Sequence, residues 1–359
     1  MTISLCMIVR DEEDVLARCL DSVKGLVNEI VIVDTGSKDR TKEIAYRYTS
    51  RVYDFPWIDD FAAARNFAFS KARMDYTMWL DADDVILAPD RGDFLRLILG
   101  MSSDVDTVMM KYVSGTDGQG NPTLSYYRER LLKTALHPQW QGAVHEVIPP
   151  MGHILYSDVA ITHQKVHPSD PDRNVRIFEK LLEKGQLLDP RQQFYYGREL
   201  YYHQRYQEAV QVLDQFLSEG LGWTENNIEA CQQLSLCYNA LHKPQKSLEA
   251  LFRSFQFDCP RAELCCSIGQ HFMGKEQYQQ AIYWYETATR CVRNDQMGGF
   301  VLPDCYDYIP YLQLCVCYDR LGQHQTANQY NEKAALIKPD DPSVQQNRIY
   351  FKQVLKGEK

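Results

Sequence analysis

Three carboxylates fall within four residues in Asp81-Ala82-Asp83-Asp84, directly after the apolar run Tyr76-Thr77-Met78-Trp79-Leu80. The run predicts a buried strand, Tyr76 to Leu80, and carboxylates at its carboxyl end cannot be buried unpaired without a large cost or a pKa shift. A divalent cation and a phosphorylated ligand resolve that conflict. Asp34 sits in the same kind of place, at the end of Glu29-Ile30-Val31-Ile32-Val33. That run is too continuous for a half-exposed strand and predicts a buried parallel one. A first strand, Ile3 to Val9, runs into Arg10 and Glu12, and a helix expected from Phe61 to Ala72 carries Ala64-Arg65-Asn66. A uracil-type base needs backbone groups and a carboxylate for its imide N–H, a ribose needs a carboxylate for its hydroxyls, and a diphosphate needs a hard metal and an arginine. Those groups are all present.

The elements that must position them alternate. The strand to Val9 is followed by helical spacing at Val15, Leu16, Leu20 and Val23; the strand to Val33 is followed by Asp34-Thr35-Gly36-Ser37-Lys38-Asp39-Arg40-Thr41 and a helix beginning near Lys42. Asp39 or Thr41 caps that helix in this reading, Asp39 mostly so. A short strand, Arg51 to Phe55, precedes the Phe61 helix. In an open parallel sheet, ligands bind outside the carboxyl ends of strands, where Asp34 and Asp81 both sit. Each residue also has a plainer role: Asp34 as a turn residue, Arg65 as a surface arginine. Asp81 and Asp83 resist one, because crowded carboxylates repel without a cation.

Further on, Asp90 to Leu99 reads as a helix, Thr107 to Val113 as a strand, Gly115 to Pro122 as a hairpin turn and Tyr126 to Leu132 as the returning strand. Trp140-Gln141-Gly142-Ala143-Val144-His145-Glu146 follows, then the strand Val159 to Lys165 with His163, then the proline-marked linker His167 to Pro171. His163 can join carboxylates as a metal ligand, Trp140 can floor a sugar site or fill the core, and His145 can be catalytic or structural. From Asp172 onward the pattern is helical only. After a helix from Arg173 to Leu188, a small residue, a large one three positions on and a second small one twelve positions on recur at Gly197/Leu200/Ala209, Ser235/Tyr238/Ser247, Gly269/Phe272/Ala281 and Cys315/Tyr318/Ala327. Small residues there let paired helices approach closely. Ala288 and Ala334 extend the pattern, Pro339 ends it, and Asn294 to Asp304 is an irregular insertion. Tyr195-Tyr196 and Tyr201-Tyr202 read first as inter-repeat core and second as a peptide groove.

Composition narrows the class. A hydrophobic content of 45% supports packed cores, while a net charge of −9 argues against nucleic acid as a main partner. No apolar run reaches the roughly 18 residues of a transmembrane segment. The apolar start lacks a basic flank and a cleavage site, so it reads as a strand. Eleven cysteines, mostly in apolar segments and without paired CxxC spacing, read as reduced core thiols of a cytoplasmic protein.

The ordered set Ser4 to Glu13, Val33 to Thr41, Ala64-Arg65-Asn66 and Asp81-Ala82-Asp83-Asp84 resembles the family 2 glycosyltransferases, over roughly the first 165 residues. The resemblance implies an α/β GT-A domain, residues 1–167, ahead of an all-α domain, residues 168–359, whose repeats resemble tetratricopeptide (TPR) repeats. It implies that Val9, Arg10 and Glu12 flank the donor nucleotide, that Asp34 takes the base, and that Arg65 and Asn66 line nucleotide and diphosphate. Asp81 with Ala82 would face the ribose, and Asp83, with His163, would hold Mn2+ or Mg2+. Arg10-Asp11 departs from the usual Lys-Asn. In family members with helical repeats, an element like Trp140 to Glu146 lies opposite the acidic motif, so Glu146 is the first candidate base and His145 the second; Trp140 and Asp84 belong to the acceptor or sugar side, with support from behind the metal ligands as the alternative for Asp84. The expected activity is inverting transfer of a hexose or N-acetylhexosamine from a UDP-sugar, UDP-glucose or UDP-N-acetylglucosamine first. The expected acceptor is a peptide or protein docked by the repeats, as in bacterial peptide glycosyltransferases; a saccharide or lipid-linked acceptor, self-association through the repeats, and an inactive nucleotide-sugar-binding scaffold are the alternatives.

Overall fold

The computed structural model describes residues 1–116, 120, 122–166 and 170–357. The tip of the expected Gly115 to Pro122 turn and most of the expected linker lie outside them. The chain divides into two compact units, Met1–Tyr195 and Tyr196–Lys359.

The first unit is built on β1 (Ile3–Val9), β2 (Glu29–Asp34), β3 (Val52–Asp54), β4 (Tyr76–Trp79), β5 (Asp84–Val85), β6 (Thr107–Thr116), β7 (Pro122–Lys133) and β8 (Ile154–His163), with α1 (Leu16–Ser22), α2 (Thr41–Ala45), α3 (Phe61–Phe69) and α4 (Ala88–Gly100) between them. The strands form one sheet in the order β3-β2-β1-β4-β7-β6-β8-β5. β3, β2, β1 and β4 are mutually parallel, whereas β7 is antiparallel to both β4 and β6. The unbroken apolar runs have a direct cause. Leu5, Met7, Val9, Ile32 and Met78 point to one core cluster and Cys6, Val31, Val33 and Trp79 to another, so the central strands are covered on both faces. Their carboxyl ends bring Val9, Asp34 and the residues after Trp79 to one edge. α5 (Arg173–Glu183) and the start of α6 (Pro190–Tyr202) complete the unit.

Several elements differ from their sequence expectations, each for a local reason. The Phe61 helix stops at Phe69, where Lys71 and Ala72 donate to carbonyls three residues back instead of four. The Arg173 helix stops at Glu183, because Gly185 takes a left-handed φ of 74° and Gly185 and Gln186 close the end onto Leu182 and Leu181. Asp39 is not the helix cap. That position is Arg40, and the Asp39 carboxylate instead accepts from Thr41 N and Oγ on one oxygen and from Glu13 N on the other. β5 was not expected, since two residues paired with β8 seventy-odd positions away leave no local pattern.

The second unit contains the pairs α6/α7 (Tyr206–Glu219), α8 (Thr224–Ala240)/α9 (Pro244–Arg253), α10 (Ala262–Gly274)/α11 (Tyr278–Ala288) and α12 (Tyr308–Arg320)/α13 (His324–Ile337), followed by α14 (Pro342–Gly357). The recurring small residues fall where helices meet. A Cβ on Gly197 would lie 2.5 Å from Leu213, the Ser235 and Ser247 hydroxyls share a 2.7 Å hydrogen bond, and Ala209, Ala281 and Ala327 are fully buried. The insertion holds two short 3-10 turns, Asp295–Met297 and Pro303–Tyr306. Of the four tyrosines, Tyr196 is buried and Tyr202 exposed. Among the described residues no helix is long and apolar enough to cross a membrane, and all eleven cysteines are free thiols.

Gly269 tests the close-approach requirement. A Cβ there would meet the Tyr285 ring at 2.9 Å, whereas one on Gly274 of the same helix meets nothing within 4 Å. Gly269→Ala is expected to cost about 1–3 kcal/mol by overpacking, and Gly274→Ala to be neutral or to stabilise by up to about 1 kcal/mol. Urea unfolding of the two variants should show opposite or clearly separated shifts.

Candidate active site

The end of β4 is an electrostatic knot. Arg65, on the inner face of α3, donates through Nη2 to Asp81 Oδ1 at 2.7 Å and through Nε to Glu146 Oε1 at 2.6 Å, with only 8% of its side chain exposed. Its guanidinium lies 5.1 Å from the Trp79 ring and 4.8 Å from that of Trp140. Burial disfavours the Arg65 charge, but Asp81 and Glu146 outweigh it and hold its pKa above the ordinary arginine value. Asp81 shows the converse: burial alone would raise it, yet Arg65 brings it down to about 2. The Arg65 bridge thus ties the acidic motif to the Trp140 to Glu146 segment. That segment is a tight hairpin closed by reciprocal Gln141–Val147 backbone bonds, with positive φ at Gly142 (94°) and His145 (52°).

Asp83 and Asp84 diverge. Asp83 Oδ1 faces His163 Nδ1 at 3.3 Å, across the β5–β8 pairing. Asp84, expected on the acceptor or sugar side, has no exposed side-chain surface. Its Oδ2 accepts from Asp81 N (3.1 Å) and Arg130 Nη1 (3.2 Å), and its Oδ1 lies 3.4 Å from His163 Nδ1. Hydrogen bonds to Asp83 and Asp84 push the His163 imidazole up to about 10. One nitrogen and two carboxylate oxygens of Asp83, Asp84 and His163 lie within 4.8 Å of one another, a donor set that suits a hard or borderline divalent cation in place of that proton.

The base-side residues are held by their neighbours. Asp34 is buried, one carboxylate oxygen accepting from Gly36 N and Ser37 N at 3.0 Å, the other buried without a hydrogen-bond partner among the described residues. The Val9 carbonyl accepts from Thr35 N and Oγ. The loops after β1 and β2 are cross-stitched: Asp11 N to Ser37 Oγ, Glu12 N to Thr41 Oγ, Glu13 N to Asp39, and Lys38 N to Asp11. Asp11, the departure from the family pattern, spends its carboxylate in this seam at a φ of 54°. Arg10 is exposed, with Asp11 at 3.8 Å. Burial, reinforced by Asp83 and Asp81, pushes the Glu12 carboxyl up to about 7.

The remaining expected residues are buried or half-buried. Asn66 uses its amide to clamp Trp140, donating to its carbonyl (3.0 Å) and accepting from its N–H (2.8 Å). Trp140 packs edge-on against Trp79 and Phe69. Ala82 is buried in the core. The His145 ring stacks on Tyr195 with centroids 4.3 Å apart. Sequence reasoning missed Arg128 and Arg130, whose guanidiniums sit 4.8 and 3.7 Å from the Trp79 ring. Their trace was two arginines at alternate positions in a strand whose neighbours are core residues.

Residues 4–158 match the family model described as glycosyl transferase family 2. Among curated relatives, the SPbeta prophage-derived glycosyltransferase SunS of Bacillus subtilis is 27% identical over 232 residues, covering 59% of this chain and 52% of SunS. A TPR repeat-containing protein of Synechococcus elongatus is 49% identical over 85 residues, covering 24% of this chain and 21% of that one. The chain thus spans about half, or less, of the length of these relatives. Among solved structures, YrrB, a TPR protein, aligns with a TM-score of 0.38 at 16% identity, covering 50% of this chain and 83% of that one. The match to the family 2 glycosyl transferase model lies within the α/β unit, and the helices beyond it come in pairs with the TPR-like spacing of small residues.

Proposed function

We propose that this chain is a metal-dependent inverting glycosyltransferase that moves a hexose or N-acetylhexosamine from a UDP-sugar to a peptide or protein. The observation that carries the reading is the Asp83–His163 pair at the end of β4, facing each other at 3.3 Å beside a carboxylate already neutralised by an arginine. Mn2+ or Mg2+ held by Asp83 and His163 would supply charge neutralisation at the departing diphosphate. Asp34, with a buried oxygen lacking a partner among the described residues, suits the imide N–H of uracil. Asp81 would face the ribose, with Ala82 shaping the turn; Val9, Arg10 and Glu12 border the same edge, and Arg65 and Asn66 hold the wall beside it. Glu146 is the candidate base. One of its oxygens is fixed by Arg65, which orients the carboxylate, and no hydrogen bond engages the other among the described residues. The acceptor would lose its proton to Glu146 while bonding to the anomeric carbon, and UDP would leave with the electron pair of the broken bond. His145, flat against Tyr195, is the second candidate.

The resemblance to bacterial peptide glycosyltransferases and the repeat pairs support a peptide or protein acceptor. Residues 1–167 would form the catalytic domain and residues 168–359 the docking domain, through which copies could also associate; the unpaired thiols support a cytoplasmic setting. A saccharide or lipid-linked acceptor is the alternative, separated by offering each class with the same donor.

Two measurements test the site. UDP release from UDP-glucose and UDP-N-acetylglucosamine is expected to require Mn2+ or Mg2+ and to fall at least about 100-fold in Asp83→Asn, beyond the usual effect of outer ligands; metal-independent release at the wild-type rate would overturn the reading. The second uses Glu12. Because its folded pKa is raised, its stabilising contribution is complete below the unfolded carboxylate range and lost as pH rises through about 7. In EDTA, Glu12→Gln should therefore unfold at higher urea than wild type at pH 8, with the gap closing by pH 4.

A further inference from the structure

Resting on the reading of Glu146 as the base, we propose that Tyr195 and Arg191, from the first turns of α6, are positioning residues that hold the His145-Glu146 turn in the shape that aims the Glu146 carboxylate. The hairpin from Gln141 to Val147 takes a left-handed φ twice, at Gly142 (94°) and at His145 (52°). A glycine meets the first at no steric cost, whereas a Cβ opposes the second. A histidine kept there needs surroundings that over-determine it. The start of α6 supplies them. Arg191 Nε donates to the His145 carbonyl at 3.2 Å, and the Tyr195 ring lies against the imidazole with centroids 4.3 Å apart and planes 14° from parallel. The two helix residues are also locked to each other. Arg191 Nη2 donates to the Tyr195 hydroxyl at 3.3 Å, and the guanidinium is 4.7 Å from the Tyr195 ring centroid. Their spacing of four residues puts both on one face of the helix.

The consequence falls on Glu146. The His145 carbonyl belongs to the rigid peptide plane that leads into Glu146, so the bond from Arg191 fixes the direction in which the Glu146 side chain leaves the backbone. At the other end Arg65 holds the carboxylate, through Oε1 at 2.6 Å. A side chain gripped only at its tip can still swing at its root; this one is held at both. A base needs such control, because a misplacement of about 1 Å can cost on the order of 100-fold in rate. Arg191 and Tyr195 lie past residue 168, in the stretch given to docking above, yet inside the first compact unit, Met1–Tyr195. The start of α6 thus serves the chemistry as well as the repeats.

The test is a pair of double-mutant cycles on the full chain, reading Mn2+-dependent UDP release from UDP-glucose and UDP-N-acetylglucosamine with water as the acceptor. Glu146 takes the water proton as the oxygen bonds to the anomeric carbon, and UDP leaves with the electron pair. Tyr195→Ala and Arg191→Met should each lower kcat at least about tenfold with KM for the donor within about twofold of wild type, the pattern of an interaction made only in the transition state. Tyr195→Phe, which keeps the ring against His145, should stay within about threefold of wild type. In a Glu146→Gln background both losses should shrink to less than about twofold, because a residue that acts through Glu146 has nothing left to position. Unchanged UDP affinity with Mn2+, by calorimetry, marks a folded variant; should Tyr195→Ala not fold, Arg191→Met carries the same prediction. Wild-type kcat in both variants, or losses undiminished in the Glu146→Gln background, overturns the proposal. Glu146→Gln alone separates this from the reading beneath it: wild-type release there means that Glu146 is not the base and both fall, whereas slow release with additive α6 losses removes this proposal only.

Discussion

The structure depends on how carboxylates are held at the end of a strand buried on both faces. Asp84 is cut off from water there and Asp81 and Asp83 are only partly exposed, and effective attraction to a nearby cation rises as the surroundings become less polar. Trp79 is the organising surface. Arg65, Arg128 and Arg130 approach its ring within about 5 Å, and their charges are met by Asp81 and Glu146, by Glu129, and by Asp84. Breaking one member of such a buried pair costs far more than the intact pair contributes, because the other charge is stranded. Asp81 and Asp84 are therefore rigid by necessity: each is oriented by an arginine that is itself buried.

A second constraint acts at the other side of the sheet edge. The loops after β1 and β2 carry neither helix nor strand, so their backbone groups need partners of another kind. They find them in each other, through Ser37, Asp39 and Thr41 on one side and Asp11, Glu12 and Glu13 on the other. Gly36 makes the crossing feasible at a φ of 108°, which a side chain would oppose. The stitching leaves Asp34 buried beneath the loops, with one oxygen used and the other without a hydrogen-bond partner among the described residues.

Much of this was legible in the sequence, and the reason is chemical. Carboxylates directly after apolar runs are improbable without a task, so Asp34, Asp81 and Asp83 stand out, and a small residue every twelve positions exposes the helix pairs. What could not be read was partnership across the chain. Arg65 and Glu146 are separated by 81 positions, Arg130 and Asp84 by 46, and nothing local announces either pair. The same blindness moved Asp84 from an open site in expectation to the interior in fact, and made Asn66 a ligand-lining residue when its amide holds Trp140 at both ends. Asp39 illustrates a subtler limit. Its turn chemistry was recognised, but the second oxygen reaches a different loop, and a cap and a cross-loop staple use the same residue type.

Permanent and exchangeable charge are thus divided between two kinds of group. Arginines, which do not release their protons, neutralise the carboxylates that must never move, Asp81 and Asp84. Asp83 and His163 carry the adjustable part: a proton holds them together in the free protein, and a divalent cation can take its place. Glu12, pushed up to about 7 by burial and by the same carboxylates, responds to that exchange, since a cation beside Asp83 removes part of what raises it. The arginines therefore do more than stabilise the fold. By pairing with Asp81 and Asp84 they leave Asp83 as the motif carboxylate whose partner is an imidazole and not an arginine.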